Sequence, residues 1–396
     1  MQTKGIVMKV IITGGGTAGH VTPLLAIASE LKRTHPQSKI RYIGKIGDPM
    51  RKLIREQRIT EKQYYIFAGK WRRYHGLSTL MHLSDIKTLA KNMRDLFLFI
   101  LGFIQSFFIL LFWRPNIVFV KGGYVGLPVG LAAGCLRIPI VTHDSDSLPG
   151  LTNRLISHFA KLLAVGMSPE LYDKYYPKDK VRFTGVPIRA EFQEINNQPA
   201  KIAARKQLGI SNGMKVVAII GGSLGAVHLN NAVLINLAKL LSNPSVFVIW
   251  ITGRRQYDNI SKKIDILTID KNRLQTYVFT SELHTFIAAA DIVVSRAGAT
   301  SIAELAAASK PTILVPNPYL AAGHQSKNAQ TLANSGAIVA ITEKQLLDKP
   351  IYLSDEIFRL LDDSSLMQTL AKNLNNLAIK DAASRIVAVL DEAIKK

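Results

Sequence analysis

From residue 7 onward, short continuously apolar runs alternate with longer stretches in which apolar positions recur every three to four residues. VMKVIIT (7–13), KIRYIG (39–44), NIVFV (116–120) and PIVTH (139–143) are short runs of the first half. Such runs read as strands buried on both faces, the habit of parallel sheets covered by helices. The longer stretches predict helices from Pro23 to about Arg33, over 129–137 and over 151–160, the first with proline near its opening turn. The rhythm restarts at KVVAII (215–220), with a helix over 229–241, the strands VFVIWIT, TYVFT, IVVSR and PTILVP, and a helical tail from about Leu353. The polar stretch AEFQEINNQPAKIAARKQLGISNGMK separates the halves and reads as a linker. The fold class is therefore α/β, with two Rossmann-like doubly wound domains, 1–189 and 190–396. The final helices are expected to pack back toward the first. The openings VIITGGGTAGH and VAIIGGSLGA look like one device used twice.

One segment breaks the pattern. Leu96 to Trp113 is 18 residues without a charge, interrupted only by Gly102, Gln105 and Ser106. Its length meets the criterion for a membrane-spanning helix. A single crossing would nevertheless put strands of one sheet on opposite sides of the bilayer. An interfacial helix lying in the headgroup region is the preferred reading, and an ordinary core helix is the other.

Charge sharpens this picture. The formal net charge is +22. Residues 1–190 hold 28 basic and 11 acidic side chains, and residues 51–94 hold 11 and 3. A basic first half implies a polyanionic partner, and the basic, aromatic stretches KWRRYH (70–75) and KTLAKNMR (87–94) suit anionic lipid. Nucleic acid is not expected, because no recognisable module accompanies the charge. With 396 residues, 48% hydrophobic, the chain can bury two cores. The single cysteine, Cys135, cannot form an internal disulfide and reads as a small buried apolar residue in a reducing compartment. The N-terminal apolar stretch is too short, and carries Lys9, to read as a secretory signal.

Candidate chemistry sits where strands run into helices. GGGTAGH (Gly14 to His20) formally fits the dinucleotide fingerprint, but that motif wants an acid at the end of the second strand, and none occurs until Asp48. A nicotinamide site is disfavoured accordingly. Two roles are open to His20: proton acceptor for an attacking hydroxyl, or loop cap. GGYVGLP (122–128) and HDSDSLPGLTN (143–153) also follow strands, so three loops converge on one sheet edge. In the second half GGSLG (221–225) suits phosphate, and SRAGATSIAE (295–304) places Glu304 where it could accept from both ribose hydroxyls. His324, Gln325 and Asn328 in NPYLAAGHQSKNA suit sugar hydroxyls, and Arg189 matches phosphate geometry.

In this order the motifs resemble the MurG family of N-acetylglucosaminyltransferases, glycosyltransferase family 28. The likeness runs over nearly the whole chain, from GGGTAGHVTP through GGYVGLP, GLTN, G-x-P-x-R and GGSLGA to SRAG-x-x-x-x-E and HQ-x-x-NA. It implies the GT-B fold, two Rossmann-like domains facing a cleft, with donor held mainly by the C-terminal half and acceptor by the N-terminal half. It implies inverting transfer of N-acetylglucosamine from UDP-N-acetylglucosamine, a substrate rather than a cofactor, to an undecaprenyl-linked lipid acceptor in peptidoglycan synthesis. No bound metal is implied. The place of action would be the cytoplasmic face of the cell membrane, reached peripherally through the basic stretch 51–94 and the apolar segment 96–113. Carried over by position, the resemblance puts Thr17, Ala18 and Gly19 at the donor sugar and diphosphate, and Arg189 and Ser223 at phosphate and uridine. Thr280 falls at the uracil, Ala299, Thr300, Ser301, Ile302, Ala303 and Glu304 around the nucleotide, with Glu304 on the ribose, and Gln325 at the N-acetylglucosamine. His20 matches the histidine that assists acceptor deprotonation, and Tyr124, His143 and Asp144 match acceptor positions.

Three departures stand out. Asp146, also at a substrate-binding position, replaces a usual asparagine, Asp144-Ser145 replaces a frequent Glu-Gln, and Ala18 replaces a frequent glycine. A carboxylate accepts from sugar hydroxyls but cannot donate, and it sits uneasily near a diphosphate. Transfer to another lipid such as diacylglycerol, and UDP-sugar epimerisation, are the rival enzymatic readings.

Overall fold

The structure, a computed structural model, describes residues 7–16, 18–70, 86–222, 225–319 and 323–395. Contacts divide the chain into two compact units, Met1–Ile188 with Asp381–Lys396, and Arg189–Lys380.

The first unit runs β1 (Lys9–Thr13), α1 (Ala18–Thr34), β2 (Lys39–Lys45), α2 (Arg51–Glu56), β3 (Lys62–Ile66), α3 (Ile86–Trp113), β4 (Ile117–Val120), α4 (Gly123–Cys135), β5 (Ile140–Asp144), α5 (Leu151–Ile156), β6 (Leu162–Val165) and β7 (Val181–Phe183). Its seven strands are parallel, in the order β3-β2-β1-β4-β5-β6-β7. Val10 pairs with Ile40 on one side and Ile117 on the other, and all three are sealed from water. Burial on both faces is why these strands appear as unbroken apolar runs.

The second unit runs α6 (Glu191–Glu194), α7 (Gln198–Gln207), β8 (Lys215–Ile220), α8 (Val227–Ser242), β9 (Val246–Ile251), α9 (Tyr257–Asp265), β10 (Leu274–Tyr277), α10 (Leu283–Ala289), β11 (Ile292–Ser295), α11 (Ala299–Ala307), β12 (Thr312–Leu314), α12 (His324–Asn334), β13 (Val339–Ala340), α13 (Glu343–Asp348), α14 (Tyr352–Asp362) and α15 (Ser364–Asn376). Its sheet order is β10-β9-β8-β11-β12-β13, again parallel. The last helix, α16 (Ala382–Lys395), belongs to the first unit. There Ser384 Oγ donates to Glu30 over 2.6 Å, and Arg182 forks onto Glu392 at 3.0 and 2.7 Å.

Five sequence expectations change. The stretch read as a linker folds into α6 and α7. Its charges are not all solvated, because Arg205 is buried with Nη2 2.7 Å from Asp291, and Lys201 reaches the other oxygen of that carboxylate at 2.5 Å. Two cations on one carboxylate let a polar helix pack. GGYVGLP is not a free loop but the opening of α4, and α1 begins before Pro23. Pro23 is the sixth residue of α1, so accommodating it costs the helix the one bond its N–H would make to Gly19 O. The strand read as TYVFT ends at Tyr277. Cys135 is exposed, at the last turn of α4, rather than buried.

The helix α3 links β3 to β4 and packs along α4. Its inward face mixes small and polar residues with apolar ones, Leu110 lying in the core and Phe103 and Phe107 packing against it. Gly102 lets the backbone of Phe67 lie against the helix, where a Cβ would overlap that carbonyl, and Gln105 Oε1 accepts from Phe67 N at 2.9 Å. Ser106 bonds back to Gly102 O, and Leu110 is fully buried. The outward face carries Met93, Phe97, Ile100, Ile104, Phe108 and Phe112 in an i, i+4 row, with Phe97 61%, Phe108 49% and Phe112 82% exposed. The C-terminal end is tied to the sheet, Lys9 Nζ reaching Trp113 O and Arg41 stacking 4.3 Å above the Trp113 ring.

Candidate functional site

Ligands of open α/β sheets bind beyond the carboxyl ends of the strands where the strand order reverses. In the first unit this switch point lies between β1 and β4, and in the second between β8 and β11. All four strands end in the motifs singled out from the sequence.

In the first unit, the loop after β1 is held by the neighbouring strand. Tyr42 Oη on β2 donates to Gly14 O at 2.6 Å, and Asp48 Oδ2 accepts from Gly16 N at 3.4 Å. A Cβ on Gly15 would stand 2.5 Å from that carboxylate oxygen, and one on Gly16, at φ +89°, would press on the Tyr124 hydroxyl. Asp48 therefore braces the glycine loop itself. Thr17 and the side chain of Ala18 lie outside the described residues.

His20 follows in the first turn of α1, half-buried, with Nδ1 enclosed and without a hydrogen-bond partner. Its ring lies against Gly123, whose missing Cβ would touch it at 3.5 Å. Burial, and secondarily the charge of Lys121, lower its pKa to about 4. The imidazole is neutral at pH 7 and able to accept a proton.

The end of β5 and the loop that follows it carry the remaining candidates. His143 is fully buried, its Nε2 donating to Gly185 O at 2.9 Å. Asp144 accepts from Tyr176 Oη at 2.7 Å, Gly150 N at 2.9 Å and Asn153 Nδ2 at 3.0 Å. Burial raises its pKa, opposed by these bonds. Both residues hold the shape of the loop, while half-buried Asp146 and Tyr124 stand nearer solvent. The sequence did not single out Lys121, which is buried at the end of β4 and donates to Ser145 Oγ at 2.8 Å. The only cue was a lysine ending an apolar strand. Among the described residues no group of three or more His, Cys, Asp or Glu side chains is placed to hold a metal ion.

In the second unit the loop 221–225 rests on backbone rather than on a carboxylate. A Cβ on Gly253, at φ +87°, would overlap the amide of Gly225, and one on Gly225, at φ +89°, would crowd Thr252 O, so the two loops pass in contact only because both positions are glycine. Asn230, buried inside α8, donates to Thr252 O at 2.9 Å and accepts from Trp250 Nε1 at 3.2 Å. An asparagine in a helical pattern did not announce that role. Ser223 lies outside the described residues.

The loop after β11 opens α11, whose first turn carries Ala299 to Ile302, followed by Ala303 and Glu304. Glu304 is 5% exposed. Burial pushes its pKa up to about 7, with Arg189 acting in the opposite sense. Arg189 is itself buried, stacks 5.2 Å over Phe192 and leaves Nε without a partner. Gln325, on α12, receives Asn317 N at 3.0 Å through Oε1, so one end braces its own loop while Nε2 lies 3.9 Å from where a Gly298 Cβ would be. Asn328 is buried beside it with Nδ2 unpartnered, and the side chain of His324 is outside the described residues. Thr280 caps a turn, accepting from Glu282 N at 2.9 Å. The second unit thus joins a buried acid, a buried guanidinium and unpaired amide donors.

Residues 10–165 match the glycosyltransferase family 28 N-terminal domain, and residues 216–386 its C-terminal domain. The chain is 36% identical over 389 residues to the UDP-N-acetylglucosamine--N-acetylmuramyl-(pentapeptide) pyrophosphoryl-undecaprenol N-acetylglucosamine transferase of Acetivibrio thermocellus, covering 98% of this chain and 99% of that one. To the protein of the same name in Bacillus subtilis it is 31% identical, covering 98% and 100%. Among solved structures it is similar to Acinetobacter baumannii MurG, with TM-score 0.65 at 22% identity over 97% of this chain and 99% of that one. It is also similar to the UDP-GlcNAc 2-epimerase of Neisseria meningitidis bound to UDP-GlcNAc, with TM-score 0.67 at 16% identity over 97% and 100%. These two structural likenesses establish the fold and no more.

Proposed function

The chain belongs to glycosyltransferase family 28, and on that premise we propose that it moves N-acetylglucosamine, with inversion, from UDP-N-acetylglucosamine to the MurNAc hydroxyl of undecaprenyl-pyrophosphoryl-MurNAc-pentapeptide, forming lipid II for peptidoglycan. The observation that carries this is the 36% identity to the Acetivibrio thermocellus transferase over 98% of the chain. The epimerases share the fold at 16% identity or less among those compared, too little to carry a reaction.

In this proposal the acceptor hydroxyl attacks C1 of the donor sugar while UDP leaves. His20 takes the hydroxyl proton. Its neutral ring supports that role, and an approaching diphosphate raises its basicity from the low value of the free protein. Tyr124, His143, Asp144 and Asp146 shape the acceptor side, His143 and Asp144 through the loop they hold rigid. Arg189 and the N–H groups opening α8 and α11 meet the phosphates, with Thr17, Ala18, Gly19 and Ser223 in their family roles. Glu304 accepts from the ribose hydroxyls, Thr280 lies at the uracil, and Gln325 Nε2 serves the sugar.

We place the protein peripherally on the cytoplasmic face of the membrane, with the outward row of α3 in the headgroup region. The helix is long and apolar enough to span, yet only 22% of its most apolar window is buried in the protein, and it joins two strands of one sheet. An outward apolar row on a helix whose other face is packed into the protein is the surface such contact requires. The residues 71–85 of the basic stretch lie outside those described.

The test is to mix the purified protein with UDP-N-acetylglucosamine and either detergent-solubilised lipid I or diacylglycerol, and analyse products by mass spectrometry. Lipid II is the expected product. A sugar on diacylglycerol instead, or an epimerised nucleotide sugar, overturns the assignment.

A further inference from the structure

We propose that Lys121 is the built-in counter-cation of the acidic loop 144–146, and a positioning residue that makes this loop compatible with an acceptor carrying a diphosphate.

Two of the three residues in that loop are acids, at positions facing the ligand edge of the sheet. Uncompensated carboxylates there would repel a pyrophosphoryl group and resist desolvation. Asp144 is braced by three neutral donors, none of which brings charge. Lys121 supplies the charge. It is 4% exposed at the tip of β4, beside the glycine loop, where a Gly14 Cβ would stand 3.2 Å from its own Cβ. Its ammonium bonds Ser145, the residue between the two acids, at 2.8 Å.

The side chain is directed along the sheet edge at the loop rather than out to solvent. Burial lowers its pKa to about 8, and Asp144 and Asp146 both act to hold the proton on. The other titratable groups around it are His20 from α1 and His143 on β5, whose basicity Lys121 depresses, with Asp48 and Tyr42 across the glycine loop and Tyr124 opening α4. Without Lys121 both carboxylates lack a counter-charge, whereas with Asp146 also neutralised only Asp144 remains, held by its three donors.

The inference rests on the transferase assignment only for its kinetic arm. Lys121→Met, Asp146→Asn and the double variant are compared with wild type for turnover against lipid I and for thermal unfolding without substrate. Lys121→Met is expected to lower kcat/KM by about 100-fold, mostly as a higher KM for the lipid acceptor, with the KM for UDP-N-acetylglucosamine within about 2-fold. The double variant is expected to return to within about 10-fold of wild type and to recover the lost melting temperature. Losses that multiply in the double variant, or a Lys121→Met that raises both KM values alike, overturn the proposal. Should Lys121→Met not fold, a double variant that folds supports the pairing and one that also fails overturns it. A wild type inactive toward lipid I defeats the transferase assignment instead, and the melting cycle then decides the charge pairing alone.

Discussion

The same crossover is built differently in the two sheets. In each, the chain leaves the third strand of an identical order and returns beside the first, from β3 to β4 and from β10 to β11. The second unit makes this passage with α10, seven residues of which Thr285 to Ala289 are buried. The first uses α3, 28 residues with an apolar row turned outward. Seven helical residues suffice for that passage in the second unit, whereas the longer α3 both packs along α4 and carries exposed phenylalanines on its other side. The glycine loops differ in parallel. The first is gripped by Tyr42 and Asp48 amid buried ionisable groups, whereas the second lies on the backbone at Gly253. On the proposed function, one topology would carry proton chemistry and membrane contact in one unit, and nucleotide recognition in the other.

The sharpest break in this comparison is His20→Ala. It is expected to lower kcat by about 1,000-fold, within the range for a lost general base, while UDP affinity measured by calorimetry stays within about 2-fold. Unchanged turnover would remove His20 from the chemistry and leave it a loop cap. Next comes α3. Replacing Phe97, Phe108 and Phe112 together by serine should weaken partition onto anionic vesicles by about 100-fold, since three rings withdrawn only part way from water, at about 1 kcal/mol each, together give about 3 kcal/mol. Melting temperature should not fall, because the rings are exposed. Vesicle flotation checks the first outcome, and an undiminished bound fraction would return α3 to a purely structural role.

The second unit should respond in binding instead. Glu304→Ala is expected to weaken UDP by about 10- to 100-fold through lost ribose hydrogen bonds, with a smaller effect on kcat. With its pKa near 7, Glu304 becomes an acceptor only as pH rises, so UDP affinity should climb between pH 6 and 8 and flatten in Glu304→Gln. The sign for stability is the reverse. A carboxyl raised above its unfolded value stabilises fully below that value, and the contribution is lost as pH rises through about 7. Calorimetry giving a flat pH profile for the wild type would detach Glu304 from the nucleotide. The smallest effect is expected for Asp48→Asn, which keeps one acceptor for Gly16 N. A few-fold loss of kcat without loss of UDP affinity would show that the brace serves the first loop alone.

Much of this was readable from residue order because burial on both faces writes a parallel strand as an unbroken apolar run. The restart at Lys215 likewise revealed the second sheet, and strand-to-helix glycines marked both switch points. Charged partners across long separations left no such trace. Arg205 and Lys201 looked like a solvated linker because Asp291, which neutralises both, lies nearly a hundred residues on. Gly102 and Ser106 looked like interruptions of an apolar segment when they form its inward face.

Local pattern by itself determined the α/β class, the two repeating halves and the loops that carry chemistry, since each depends on neighbours within a few residues. Tertiary structure alone decided which way α3 faces, that Asp48 braces a loop, and that Lys121 sits among acids. Those depend on which distant groups share a low-dielectric interior, where an uncompensated charge is costly and a paired one is not.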